Sequence, residues 1–140
     1  MLKPTNTNYL FKFSIVTAVY NVAPYLSEAI DSILSQDIGF LESVELILVD
    51  DGSTDASGAI CDEYQHKYPE NIVVIHKPNG GVASARNAGI AVARGRYVNF
   101  MDSDDKLTPD TLSSVYDFFI EHDKEVDLVS VPIFYFEQKN

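Results

Sequence analysis

Several residue types and sequence features are scarce in this chain of 140 residues, and each absence excludes a class of protein. Cys61 is the only cysteine, so no disulfide forms within the chain, and its expected role is a small buried side chain rather than a nucleophile. No apolar run is long enough to span a bilayer, and residues 1–12 lack the apolar core of a signal peptide. The sequence therefore predicts a cytoplasmic protein, and a peripheral position at the inner face of the membrane stays open for a longer parent protein.

Basic residues are also scarce: ten Lys and Arg stand against 21 Asp and Glu, for a formal net charge of -11. Binding to nucleic acid demands clustered Lys and Arg, so no nucleic-acid partner is predicted. Neither G-x-G-x-x-G nor G-x-x-x-x-G-K-[ST] is present, so dinucleotide binding and P-loop hydrolysis lose their main support. The three histidines, His66, His76 and His122, are scattered and have no metal-binding spacing.

Apolar segments alternate with helical patterns along the chain, and this alternation predicts the fold. Five apolar, β-branched segments are interpreted as strands, at residues 13–19, 44–49, 72–75, 97–101 and 127–131. Helices are predicted from about Pro24, from the capping residues 53–55 to Tyr68, over 82–94 and from Thr108. Gly95 is expected to end the third of these helices. The pattern predicts an N-terminal extension at 1–12 and one α/β domain at 13–140, a three-layer α/β/α sandwich with a mostly parallel, Rossmann-like sheet.

Polar clusters follow the first four predicted strands. They are Tyr20-Asn21, the segment 50–53, the segment 77–81 and the segment 102–105. Ligands of open parallel sheets bind beyond the carboxyl ends of the strands, so a parallel sheet would place all four clusters along one edge. This convergence favours a binding site there more strongly than any single cluster does.

Asp102-Ser103-Asp104 offers two carboxylates separated by one residue, directly after an apolar strand. Carboxylate oxygens are hard ligands that suit Mg²⁺ or Mn²⁺, and a diphosphate would supply further oxygens. The alternative is a solvent-exposed turn, which is a common role for such triplets. Asp105 is expected to have a structural or supporting role.

Two other clusters suit the remaining parts of a nucleotide. Asp50 and Asp51 are able to accept hydrogen bonds from a base and a ribose, although a turn with a helix cap explains the same residues. The loop 79–81 opens a helix, a place that favours phosphate through free backbone N–H groups, and either Lys77 or Arg86 is a candidate cation to face a diphosphate. The alternative there is a turn with a surface arginine.

Four blocks in order, residues 14–21, 49–55, 79–89 and 102–105, resemble the family 2 glycosyltransferases, which have the GT-A fold. The resemblance implies an inverting enzyme that uses a nucleotide-diphosphate sugar, UDP-sugar by resemblance alone, and a divalent cation, Mn or Mg. The acceptor it implies is a glycan or cell-envelope polymer, in polysaccharide biosynthesis.

The resemblance also implies roles for single residues. The nucleotide-binding residues would be Tyr20, Asn21, Asp50, Asp51, Arg86 and Asp102, with either acid of the 50–51 pair on the base. Asp102 and Asp104 match the DxD motif, and Asp104 is the favoured metal ligand.

The sequence departs from the family in one respect, because no catalytic base is identified in residues 108–140. The family's base normally comes later, in a segment that also binds acceptor. We therefore expect a truncated donor-binding portion that binds nucleotide and transfers sugar poorly or not at all.

Two rival interpretations stay open at this point. One is a non-catalytic nucleotide-binding module of the same fold. The other is a phosphoacceptor signalling domain, which fits badly because its acidic pair should follow the first strand, where Tyr20-Asn21 stands.

Overall fold

The computed structural model describes residues 9–127, and its centre is a four-stranded, fully parallel sheet. The strands are β1 (Phe11–Val19), β2 (Val44–Asp50), β3 (Ile72–His76) and β4 (Gly95–Phe100), in the spatial order β3-β2-β1-β4. The first four predicted strands are confirmed, whereas the predicted strand at 127–131 lies outside the described residues except for Asp127. β1 begins at Phe11, so the predicted boundary of the extension at residue 12 falls inside the strand.

Five helices connect or flank the strands of the described region. They are α1 (Ala23–Leu34), α2 (Phe40–Ser43), α3 (Ser57–Lys67), α4 (Val82–Val92) and α5 (Thr111–Glu121). The helix-opening proline of α1 lies in its first turn, as predicted. The single-turn helix α2 has no pattern long enough to predict it, and α5 begins three residues later than Thr108. Among residues 9–127, none of the helices has the length and apolar character needed to cross a membrane.

The two faces of the sheet carry separate parts of the core, which gives the predicted three layers. One face of β1 and β2 packs with α1 and Leu112 of α5, and Cys61 is fully buried on this side. Burial raises the pKa of Cys61 to about 12, as expected of a residue that is not a nucleophile. On the other face Val16 packs under Gly89 of α4, where an added Cβ would lie 2.3 Å from Val16 Cγ1. The small residues of α4 therefore let this helix lie close to the sheet.

The prediction for Gly95 was wrong, because this glycine begins β4 rather than ending a helix. α4 ends at Val92, with Ala93 as its C-terminal cap. A Cβ on Gly95 would lie 2.4 Å from the backbone nitrogen of Ser14 in β1. The glycine is therefore required by the close approach of two strands, a contact between residues far apart in sequence.

Glu45 is a fully buried carboxylate near the start of β2, at the end of the sheet opposite the polar clusters. It links the start of β4 to β1 and β2. Its Oε1 accepts hydrogen bonds from Ser14 Oγ at 2.9 Å and Arg94 N at 2.8 Å, and its Oε2 accepts one from Arg94 Nε at 2.5 Å. Ser14 Oγ in turn accepts a hydrogen bond from Gly95 N at 2.7 Å. A buried charge is tolerated when it is paired in this way, so the cluster fixes the α4–β4 connection against β1 and β2.

Candidate functional site

All four polar clusters lie at the carboxyl edge of the sheet, because the strands that precede them are parallel. Val19 is opposite Asp50, and Val16 is opposite Phe100, so the loops after β1, β2 and β4 begin side by side. The chain runs from β1 through β2 to β3 in one direction, and β4 then returns to the other side of β1. This reversal is the place where open α/β sheets form a ligand crevice. The predicted convergence of the 50–51 and 102–104 acids on one edge is therefore present.

Asp51 is buried and joins the loop after β2 to the loop after β3. Its Oδ1 accepts hydrogen bonds from Lys77 Nζ at 2.8 Å and Gly80 N at 2.9 Å, and its Oδ2 accepts one from Gly81 N at 2.9 Å. The hydrogen bond from Lys77 and those from the two glycine N–H groups outweigh burial and lower the pKa of Asp51. Asp51 is therefore ionised and acts as a clamp, meaning that its hydrogen bonds hold the loop that starts α4. One acceptor position remains on Oδ2.

These contacts change the expected role of the 79–81 loop. The N–H groups of Gly80 and Gly81 were expected to be free for phosphate, and Lys77 was a candidate to face a diphosphate. In the structure all three donate to Asp51, and Lys77 also donates to Pro78 O at 2.8 Å. A carboxylate of the chain itself thus fills the position predicted for phosphate. Gly52 follows with φ 80°, and an added Cβ there would lie 2.8 Å from Asn79 N.

Asp50 is also buried, but its side chain faces α3 rather than the 79–81 loop. Its Oδ1 accepts a hydrogen bond from Ser53 N at 3.0 Å, and its Oδ2 lies 2.8 Å from His76 Nδ1. Burial acts to raise the pKa of Asp50, but the hydrogen bonds from Ser53 and His76 outweigh it and lower the pKa. The sequence interpretation gave His76 no role, and the only sequence signal is that it ends an apolar strand.

Asn21 ties the loop after β1 to the loop after β2. It adopts φ 51°, a left-handed conformation that asparagine tolerates better than most residues. Its Oδ1 accepts hydrogen bonds from Thr54 N at 2.8 Å and Asp55 N at 3.3 Å, and its N–H donates to Ser53 Oγ at 3.1 Å. The neighbouring Tyr20 is half exposed at the same edge, as a residue that lines an open site must be.

Three carboxylates after β4 form the strongest candidate metal centre among residues 9–127. Asp102, Asp104 and Asp105 are exposed and place one oxygen each within 4.8 Å of the others. Partial loss of contact with water around the carboxyl group, and then the charges of Asp102 and Asp104, raise the pKa of Asp105. Crowded like charges with oxygen donors are the arrangement that Mg²⁺ or Mn²⁺ stabilises, so the residues present fit such an ion. Asp105 lies with Asp102 and Asp104 in this cluster, and its expected structural or supporting role stays a prediction.

Arg86 connects α4 to this acidic cluster. Its guanidinium lies 3.4 Å from Asp102 Oδ1 and 5.5 Å from the centre of the Phe100 ring. Both the arginine and Asp102 are substantially exposed, so the pair adds little to stability. The arrangement instead holds a cation beside the acids.

Comparison with known proteins identifies the family to which this chain belongs. A family model described as "Glycosyl transferase family 2" matches residues 14–140. The chain belongs to glycosyl transferase family 2. The resemblance drawn from four short blocks is thereby confirmed.

Similar proteins support the same membership. The minor teichoic acid biosynthesis protein GgaB of Bacillus subtilis (strain 168) is 51% identical to this glycosyl transferase family 2 chain over 130 residues, which cover 93% of this chain and 14% of GgaB. The structure of S. aureus TarS 1-349 in complex with UDP is 34% identical with a TM-score of 0.73, covering 81% of this chain and 33% of that one. The predicted GT-A type of α/β fold is confirmed by this likeness.

A third similar structure was solved with both a ligand and a metal ion. Mannosyltransferase PcManGT from Pyrobaculum calidifontis, in complex with GDP-Man and Mn2+, is 25% identical with a TM-score of 0.70, covering 80% of this chain and 33% of that one. This family 2 chain thus spans a third or less of the length of these three relatives.

Proposed function

We propose that this chain binds the nucleotide diphosphate of a sugar donor, as the donor-binding part of an inverting glycosyltransferase that acts on a cell-envelope polymer. The observation that carries the proposal is that the loops with Asp51 and with the 102–105 acids begin at one edge of the sheet, where Arg86 pairs with Asp102. The UDP and UDP-GlcNAc complexes of TarS support a uridine nucleotide. The teichoic acid function in the name of GgaB supports a cell-wall acceptor.

The contacts suggest how the acids divide the donor between them. Asp50 faces His76 and α3, where an added Cβ on Gly58 would lie 2.8 Å from Asp50 Oδ2. Asp51 faces the loop that begins α4, the helix that carries Arg86. We therefore assign base and ribose contacts to Asp51 with Tyr20 and Asn21, and give Asp50 the task of holding the turn that presents them.

The acids after β4 are assigned to the diphosphate end of the donor. Asp102 and Asp104, with Asp105 beside them, would hold Mn²⁺ or Mg²⁺, and the ion when bound neutralises charge on the diphosphate. Arg86, which pairs with Asp102, would supply a second positive charge to the same oxygens. In an inverting transfer the acceptor hydroxyl oxygen attacks the anomeric carbon, the bond from that carbon to the diphosphate breaks, and a base takes the hydroxyl proton. We assign no residue between 9 and 127 as that base.

Calorimetry with UDP, GDP, CDP and TDP, each with and without Mn²⁺, tests the proposal. We expect UDP to bind most tightly and Mn²⁺ to strengthen its binding. Sugar transfer by this chain should be weak or absent, because no residue between 9 and 127 is assigned as the base. Absence of binding to all four nucleotides would refute the donor site, and efficient transfer by this chain would refute its restriction to donor binding.

A further inference from the structure

His76 lies between two carboxylates at the end of β3. Its Nδ1 is 2.8 Å from Asp50 Oδ2, and its Nε2 is 2.7 Å from Asp62 Oδ1 of α3. A neutral imidazole carries one N–H, so two carboxylate acceptors at hydrogen-bond distance require both nitrogens to donate. The geometry therefore calls for the imidazolium form. In agreement, the hydrogen bonds with Asp62 and then Asp50 raise the pKa of His76 against the opposing effect of burial.

The charge on His76 supports the turn that leads into the candidate site. Asp50 has two oxygens, and the one that does not face His76 accepts the N–H of Ser53 at 3.0 Å. Ser53 Oγ then accepts the N–H of Asn21 at 3.1 Å, which joins this turn to the loop after β1. Asp51, the clamp of the 79–81 loop, is the residue next to Asp50. A buried carboxylate that loses its countercharge is costly, so loss of the charge on His76 would destabilise the ionised side chain that holds this turn.

We propose that His76 is a positioning residue for the donor nucleotide, acting through Asp50 to hold the 50–53 turn in its binding conformation when the imidazole is protonated. This inference rests on the proposed function, because nucleotide affinity is its readout. His76 itself is placed behind Asp50 and touches no ligand in this proposal.

Two neighbouring carboxylates favour the protonated form of His76. Asp50 faces it from β2 and Asp62 from α3, and the charges of both act on Cys61, which also lies on α3. The pKa of Cys61, about 12, keeps that thiol neutral at ordinary pH. The next residue, Lys77, directs its ammonium group to Asp51. Because folding raises the pKa of His76, its contribution is present at low pH and is lost as pH rises through the raised value.

The test is the UDP affinity of the chain between pH 6 and pH 9, measured beside that of His76→Gln. The ratio of the two affinities removes the effect of UDP ionisation, which is the same for both proteins. We expect wild type to bind about tenfold more tightly at pH 6, where His76 is protonated, and the ratio to approach one by pH 9. His66→Gln, at an exposed histidine of α3, is the matched control and should follow wild type.

A second variant tests the proposal even if His76→Gln fails to fold. Asp62→Asn alters a carboxylate that is 59% exposed and leaves the ring in place. It should move the NMR titration of His76 and the fall in UDP affinity to lower pH together. An affinity ratio that is constant across pH, or an Asp62→Asn profile that does not move, would overturn the inference alone. No UDP binding by wild type at any pH would overturn the proposed function and, with it, this inference.

Discussion

Asp51→Asn is the substitution that tests most directly how the site is built. The side chain of Asp51 is 5% exposed and that of its partner Lys77 is 19% exposed, so solvent screens their interaction only weakly. Asparagine keeps one oxygen, which replaces at most part of the three hydrogen bonds from Lys77, Gly80 and Gly81. The new amide N–H₂ must then face a donor that the carboxylate had satisfied.

The magnitude follows from the hydrogen bonds that are lost. A hydrogen bond to a charged group contributes about 1.5–3 kcal/mol, and loss of one partner of a fully buried pair costs about 3–5 kcal/mol. Because the amide retains part of the network, we expect a loss of about 2–3 kcal/mol in the free energy of unfolding. At about 4 °C per kcal/mol, this corresponds to a fall of about 10 °C in Tm.

Urea denaturation at pH 7 and at pH 3 is the assay, with Asp117→Asn on the exposed face of α5 as the control. Folding holds the pKa of Asp51 below its ordinary value of 3.8, so its stabilising effect is complete above that pH and is lost as pH falls through the lower folded pKa. The difference between wild type and Asp51→Asn should therefore shrink at pH 3. Equal stability of Asp51→Asn and the control at pH 7 would refute the assignment of Asp51 as a clamp.

Three further substitutions test other parts of the structure. Glu45→Gln should lower the free energy of unfolding by about 1.5–3 kcal/mol, since it removes the charge facing Arg94 Nε, while Glu70→Gln at the surface should change it by less than about 0.5 kcal/mol in the same urea titration. Gly95→Ala should lower Tm by forcing β4 away from β1, at a cost of about 1–3 kcal/mol, and an unchanged Tm would contradict the close approach. Asp104→Asn should weaken the Mn²⁺-dependent part of UDP binding in calorimetry and spare most of the binding without metal; equal enhancement by Mn²⁺ would contradict the assignment of Asp104 as a ligand.

The strands and their common edge were predictable because each rests on a local pattern. β2 is buried along its whole length and is apolar apart from Glu45 near its start and Asp50 at its end. Once the strands are parallel, the position of their polar ends follows without any knowledge of side-chain contacts. The candidate edge of the sheet, and the acids on it, were therefore predictable from the sequence.

The partners of those acids were not predictable, because they depend on which strands are neighbours. His76 reaches Asp50 only because β3 pairs with β2, which places these two residues opposite each other. The glycine at 95 was misassigned for the same reason, as its close neighbour Ser14 belongs to a strand at the other end of the sequence. Local sequence spacing indicates which chemistry a residue suits, and strand order determines which residues it contacts.

The central position of β1 has a consequence for the order in which the molecule assembles. The hydrogen bond between Gly95 and Ser14 joins residues 81 positions apart, so the β1–β4 pairing closes a far longer loop than the β1–β2 pairing does. Loop closure of this length is slow and entropically costly, and contacts of this kind lower folding rates. We therefore expect β1, β2 and β3 to associate before β4 docks. The acidic cluster after β4 would then reach the crevice in the final step of folding.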